Sequence, residues 1–286
     1  MTVKIFAVLI VKNESAVLER CLESLEGVDG IYITDTGSTD NTVEIAERYG
    51  CHVTSFPWVD DFAAARNFAS SQVEDGFILS IDADEQLLTH MIDIRSQLET
   101  LGDHDALTVN MQWNENHSHK VPRIFKAGVK WEGRIHEYVV CNAKPSDIVI
   151  KYEKSPAHDL DPDRNLRILL SDKENVRSQF YLANEYYDRG NIEGALTWYK
   201  IYLTKGTWRY EVSEANFKVA KCLWQLGRGD QARNYCLQAI LGNPNFSEAL
   251  RFMAEMSWEK EAEVWKKFAV VATDEDVLFV RGNNGS

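Results

Sequence analysis

Cysteine is scarce and badly placed for cross-linking. Five residues (Cys21, Cys51, Cys141, Cys222, Cys236) are scattered through 286 positions. Their number is odd and no two stand at C-x-x-C spacing, which argues against a disulfide framework or a thiolate zinc site. A reducing, cytoplasmic compartment is the expectation. Basic charge is also short. The formal net charge is -13, from 31 Lys and Arg against 44 Asp and Glu. The deficit is concentrated in residues 1–155, with 14 basic against 25 acidic side chains; residues 156–286 carry 17 against 19. No basic stripe is present and the average field repels polyanions, which disfavours nucleic acid as a partner. A phosphorylated ligand in the first half would need local cations, either a metal or particular basic side chains. Long apolar runs are missing too. The run 5–11 is followed at once by Lys12 and Glu14 and lacks a small-residue cleavage site, so it reads as a buried strand.

Hydrophobic residues make up 44% of the chain, enough for a substantial core. The first half alternates strand and helix signals. Continuous apolar runs at 5–11 and 76–81 suit strands covered on both faces, with shorter strands at 31–34 and 52–56. Asn13 and Ser15 are candidate caps for a helix whose apolar positions are Val17, Leu18, Cys21, Leu22 and Leu25. Helices are expected at 42–49 and 62–71, and several short strands between 105 and 149. Such alternation implies a parallel sheet that binds ligands at the carboxyl ends of its strands. Asp35 and Asp82 stand at two of those ends.

The second half changes character. Asp161-Pro162 opens an amphipathic helix through about residue 175. Ala183, Gly190, Ala195 and Tyr199 then recur as Ala220, Gly227, Ala232 and Cys236, offset by 37 positions, and Ala254 follows Ala220 by 34. Small residues at these places let paired helices approach closely, as in tetratricopeptide repeats. About three extra residues fall near 204–207, and a third unit from Phe246 shows only its first helix. The expected division is a catalytic domain over 1–160, an all-α repeat domain over 161–272 and a flexible tail over 273–286.

Three stretches carry chemistry. Asp82-Ala83-Asp84-Glu85 delivers two carboxylates, one small residue apart, to a sheet edge. Hard oxygens there suit Mg²⁺ or Mn²⁺, and an acidic helix-capping turn is the plainer alternative. Asp35-Thr36-Gly37-Ser38-Thr39-Asp40 lies between strand and helix; Gly37 permits a tight turn, and Ser38, Thr39 or Asp40 can cap the helix. Asp35 could accept from a nucleobase N–H. The same D-T-G-S letters occur in aspartic proteases, which need two such aspartates sharing a proton, and no second D-T-G or D-S-G exists here. Asp60-Asp61-Phe62-Ala63-Ala64-Ala65-Arg66-Asn67 pairs capping acids with one of the few local cations. Arg66 could touch a phosphate, hold Asp82, or lie on a solvated face. His117 and His119 sit in a polar stretch and read as surface residues.

Residues 8–14 (V-L-I-V-K-N-E), 35–40, 58–67 and 82–85, in this order and spacing, resemble family two inverting glycosyltransferases with the A-type, nucleotide-diphospho-sugar transferase fold. The resemblance covers about residues 3–160. It is closest to a branch with a C-terminal tetratricopeptide segment, marked here by Arg123-Ile124-Phe125, His136-Glu137, His158 and Arg164-Asn165-Leu166. It implies a UDP-sugar or similar donor, with Asp35 at the base, Asp82 near the ribose, and Val11, Asn13 and Glu14 lining the nucleoside pocket beside Arg66 and Ala83. It also implies Mn²⁺ or Mg²⁺ held by Asp84, with His158 as a further ligand. No Asp stands where family members often carry the base. Glu137 takes that place, His136 second, although Glu137 could instead pair with Arg134 or Arg123. The acceptor is open: a peptide or protein, or a glycan or lipid precursor, with nucleic acid last. The repeats offer a surface for the acceptor, a partner or a second copy of the chain. A sugar-nucleotidyltransferase would need a glycine-rich loop where Lys12-Asn13-Glu14 stands. A non-catalytic repeat protein with a relic transferase half remains the other class.

Overall fold

The computed structural model describes residues 3–114 and 117–272. The expected tail, 273–286, lies outside the described residues. Tertiary contacts divide the chain into two compact units, Met1–Arg164 and Asn165–Ser286.

The first unit is built on a mixed sheet. Its parallel half comprises β1 (Ile5–Val11), β2 (Gly30–Asp35), β3 (His52–Ser55) and β4 (Phe77–Ser80), in the order β3-β2-β1-β4, connected through α1 (Leu18–Glu23), α2 (Thr42–Arg48) and α3 (Phe62–Ser70). β1 sits between two partners, and its side chains enter two cores: Ala7 and Leu9 on one face, Val8 on the other. That double burial is why its sequence is continuously apolar.

After β4 come β5 (Glu85–Leu87), α4 (Met91–Glu99), β6 (Ala106–Asn114), β7 (His117–Lys126), a small hairpin of β8 (Trp131–Glu132) and β9 (Tyr138–Val139), then β10 (Ala143–Lys144) and β11 (Val149–Tyr152). The sheet continues as β4-β7-β6-β11-β5, with β10 beside β6. β7 runs antiparallel to both β4 and β6, and β11 runs parallel to β6. The carboxyl ends of β4, β6 and β11 therefore reach the same edge as those of β1 and β2. Helix α4 was not expected; it buries only Met91, Ile94 and Leu98, a narrow stripe among polar residues.

The second unit is helical: α5 (Arg164–Ser171), then the pairs α6 (Val176–Asp188) with α7 (Ile192–Leu203), α8 (Arg209–Gln225) with α9 (Gly229–Gly242), and α10 (Ser247–Glu255) with α11 (Glu259–Val271). The repeating Ala183, Ala195, Ala220 and Ala232 have no exposed surface, so the small-residue register marks where paired helices touch. Gly190 and Gly227 take φ of 75° and 72° just past the ends of α6 and α8, a backbone state that glycine tolerates. The first helix is shorter than expected, because Asn175 breaks it: its side chain accepts from the Arg177 amide and caps α6. The third unit is complete. Its second helix, α11, escaped notice because its buried residues are only Ala262 and Ala269.

Candidate functional site

The site grows from two loops at the carboxyl edge, after β1 and β2. Asn13 does not cap α1; that helix begins with Val17 at its cap position and no side-chain cap. Asn13 instead adopts φ 58° and joins the loops: its amide donates to Ser38 Oγ at 2.9 Å, and its Oδ1 accepts from the Thr39 amide at 2.7 Å. The Glu14 amide donates to Thr42 Oγ1 at 2.8 Å and the Ser15 amide to Asp40 Oδ2 at 3.1 Å. Asp40 Oδ1 also accepts from the Thr42 amide at 3.0 Å, but α2 has Asn41 at its cap position with no side-chain cap, so none of Ser38, Thr39 and Asp40 caps it. Val11 is buried, and its carbonyl accepts from Thr36. Asp35, at the end of β2, accepts from the amides of Gly37 and Ser38, both at 3.1 Å. Gly37 holds φ 108° to present them. The D-T-G-S letters thus lie in a turn from a parallel strand to a helix, not in the all-β setting a protease requires.

At the end of β4 the chain packs acids tightly. Ala83 and Asp84 are 3% and 4% exposed. Asp84 Oδ2 lies 3.3 Å from His158 Nε2 and 3.4 Å from the Ser155 amide. The Ser155 hydroxyl in turn donates to Glu14. Burial raises the Glu14 carboxyl, against the Ser155 hydrogen bond and with help from the Asp84 charge. Hydrogen bonding to Asp84 raises His158, against burial. Asp84 and His158, 74 positions apart in the chain, therefore meet as a carboxylate–imidazole pair. Among the described residues no three acidic, His or Cys side chains gather as a ready cation cage. A carboxylate beside an imidazole is nevertheless a donor pair that Mg²⁺ or Mn²⁺ could use.

Arg66 proves to be neither a surface residue nor an unengaged phosphate ligand. It is 8% exposed. Its Nη2 reaches Asp82 Oδ1 at 2.9 Å and its Nε reaches Glu137 Oε1 at 2.6 Å. The guanidinium lies 5.0 Å from the Trp131 ring centre. Asn67 fixes that ring's strand from both sides, donating to the Trp131 carbonyl at 2.9 Å and accepting from its amide at 3.0 Å. The motif letters thereby acquire duties: Asp61 caps α3 through the Ala64 amide, Ala63 and Ala65 are buried, Arg66 joins two acids, and Asn67 ties down the β8 hairpin. Glu137 pairs with Arg66 rather than Arg134 or Arg123; Arg134 points to Asp61 at 3.9 Å. His136, the second base candidate, holds φ 53°, a left-handed backbone unusual for a side chain of its size.

Arg123 and Glu85 complete the lattice; the sequence offered Arg123 only as an alternative partner for Glu137 and gave Glu85 no role. Arg123 Nη2 reaches Glu85 Oε1 at 2.9 Å and Asp82 Oδ2 at 3.4 Å, while the Asp82 amide donates to Glu85 Oε2 at 2.8 Å. Their only signal was membership of the quoted R-x-F and D-A-D-E strings. Burial alone would raise Asp82, but the charges of Arg66 and Arg123 outweigh it and hold the carboxyl at about 2. Burial lifts Glu85 to about 7 despite Arg123, with Asp82 adding to the rise. His119 is not a surface residue: it is half-buried and its Nδ1 accepts from the Trp113 indole at 3.0 Å. The His117 side chain lies outside the described residues.

Residues 6–138 match the sequence model of glycosyl transferase family 2. The first unit is a glycosyltransferase family 2 domain. It has the A-type fold expected of that family, followed by tetratricopeptide-like helices. The chain is 35% identical over 140 residues to a TPR repeat-containing protein of Synechococcus elongatus, covering 46% of this chain and 34% of that protein. It is 39% identical over 94 residues to an uncharacterized glycosyltransferase of Rickettsia bellii, covering 32% of each. The chain thus spans about a third of the length of these curated relatives. Among solved structures, S. aureus TarS 1-349 in complex with UDP-GlcNAc aligns over 97% of this chain and 89% of that one, at 13% identity and a TM-score of 0.45. Among the described residues no helix is long and apolar enough to cross a membrane.

Proposed function

We propose that the protein transfers a sugar, a hexose by class, from a UDP-sugar donor to an acceptor with inversion at the anomeric carbon, using Mn²⁺ or Mg²⁺. The observation that carries this reading is the meeting of Asp84 and His158 at the carboxyl edge, beside Glu14 and Asp82. A divalent cation bound there would supply the charge that stabilises the departing nucleoside diphosphate. His158 can ligate only as the neutral imidazole, so a cation there would compete with protons.

The chain's own residues then divide the work. Val11, Asn13 and Glu14 line the nucleoside pocket, and Asp35, fixed by two amides, turns its remaining lone pairs to the uracil N–H. Ala83 keeps the wall thin. Asp82, oriented by Arg66 and Arg123, meets the ribose. Glu137 is the base that takes the acceptor's proton, aimed by the same guanidinium that aims Asp82, so donor and base geometry are set together. His136 is the second candidate. The repeats are the surface for an acceptor-bearing partner or for a second copy of the chain.

Calorimetry with Mn²⁺ tests the donor reading. UDP should bind about tenfold tighter than ADP, a preference worth one good hydrogen bond, and Asp35→Ala should erase the difference. Equal affinities in the native protein would remove the uridine reading, and no binding of either would favour the non-catalytic repeat protein.

A further inference from the structure

The aliphatic rows of one core do not stay aliphatic up to the catalytic edge. Along β6 that core takes Leu107, Val109 and Met111, and along β11 it takes Ile150. Two positions further stand Trp113, where the β6–β7 register slips by one residue, and Tyr152. Both rings are half-buried and their centres are 4.5 Å apart. His119, opposite Met111 in register, stacks near Trp113 with ring centres 5.7 Å apart and accepts its indole N–H. With Nδ1 accepting, the neutral ring carries its proton on Nε2. Burial and the Arg123 charge push His119 down to about 4, so it adds no charge at neutral pH.

This cluster belongs to the donor edge. Tyr152 pairs with Glu85 across β11 and β5, and the next amide, Glu153, donates to the Asp84 carbonyl at 2.9 Å. Burial raises the Tyr152 phenol, and the carboxylates of Asp84, Glu85, Asp82 and Glu14 add to the rise, which places the ring within their field. Closing the end of a core requires only aliphatic side chains. Half-open aromatic rings rimmed by a hydroxyl and an imidazole N–H suit a ligand with an apolar face and a polar periphery. A pyranose has both: axial C–H bonds on one face and hydroxyls around the ring.

We propose that Trp113, Tyr152 and His119 form the acceptor subsite, stacking a pyranose C–H face on Trp113 with its hydroxyls toward Tyr152 and His119. The inference rests on the transferase reading and narrows the acceptor to one that already carries a sugar.

The test uses the full chain and three probes, the methyl β-glycosides of glucose, galactose and N-acetylglucosamine, with and without UDP and Mn²⁺. One probe should saturably shift the Trp113 indole N–H resonance, assigned from its disappearance in Trp113→Phe. Trp113→Ala and Tyr152→Ala should each weaken that probe about tenfold, while Trp113→Phe, which keeps a stacking ring, should stay within about threefold. UDP affinity should not follow. No indole shift with any probe, unchanged glycoside affinity in Trp113→Ala, or a parallel loss of UDP binding would overturn the proposal. If an alanine variant fails to melt cooperatively, the wild-type indole shift and the Phe variant decide. Glycoside binding without UDP binding would sink the donor reading alone, and UDP binding with silent glycosides would sink this one alone.

Discussion

Each unit buries arginine against carboxylate, and the two clusters differ in balance. In the helical unit Arg177 meets Glu211 at 3.0 Å, and the other Glu211 oxygen accepts the Tyr202 hydroxyl at 3.0 Å. The cation meets one oxygen of the anion, and a neutral donor serves the other. At the sheet edge Arg66 and Arg123 face Asp82, Glu85 and Glu137, with Glu14 and Asp84 alongside. Acids outnumber arginines there. A balanced cluster completes its electrostatics on folding, whereas an acid-rich one keeps a standing demand for positive charge. The first is architecture; the second is the reason to expect a cation.

The sharpest way to break this contrast is Asp84→Asn. The amide is nearly isosteric but loses the ligand charge, so transfer should fall by roughly a thousandfold or more. Because it removes one of several crowded acids, the cooperative melt should hold or rise. Donor consumption near the native rate would end the metal role. Next in size is Arg66→Met, which strands Glu137 and leaves Asp82 with Arg123 alone at 3.4 Å; urea unfolding should show a loss of about 3 kcal/mol. Arg177→Met should cost less, about 2 kcal/mol, since Arg177 is more exposed and Tyr202 still serves Glu211. Equal losses from the two variants would erase the distinction.

The smallest effect is a pH slope. Burial lifts Glu14 and Glu85, and hydrogen bonding lifts His158. Each therefore binds protons more tightly folded than unfolded, whereas His119, pushed down to about 4, binds them less tightly and opposes that slope up to its ordinary 6.5; metal-free stability should therefore decline as pH rises from about 6.5 toward 8. Asp82 works the other way at lower pH: its depressed carboxyl contributes stability above about 4 that is lost as pH falls through about 2. A melting temperature lower at pH 8 than at pH 6.5, and a flatter profile over that range in Glu85→Gln, would support the excess of acid. A rising profile would refute it.

What could be read from the sequence was local. The buried run of β1, the turn glycine at 37, the capping acid at 61 and the alanine register of the helices are each set by neighbours a few positions away. The partners of those residues were not legible. Arg66 and Glu137 stand 71 positions apart, and Arg123 and Glu85 stand 38 apart; no periodicity links them, and only chain topology brings them together. Asn13 misled because a polar residue before a helical pattern is usually a cap, and nothing local announces a left-handed residue that bonds sideways to another loop. His119 misled because polar neighbours in a strand say little about the face its ring occupies.

That sideways bonding has a consequence in time rather than in space. The loops after β1 and β2 are joined by five hydrogen bonds between Asn13, Glu14 and Ser15 on one side and Ser38, Thr39, Asp40 and Thr42 on the other. Neither loop can open without the other, so their amides should exchange with solvent together and slowly, despite lying between elements where exchange is usually fast. The ordering entropy of the proposed nucleoside floor is then spent during folding, and a ligand arriving there would meet a surface with little left to settle.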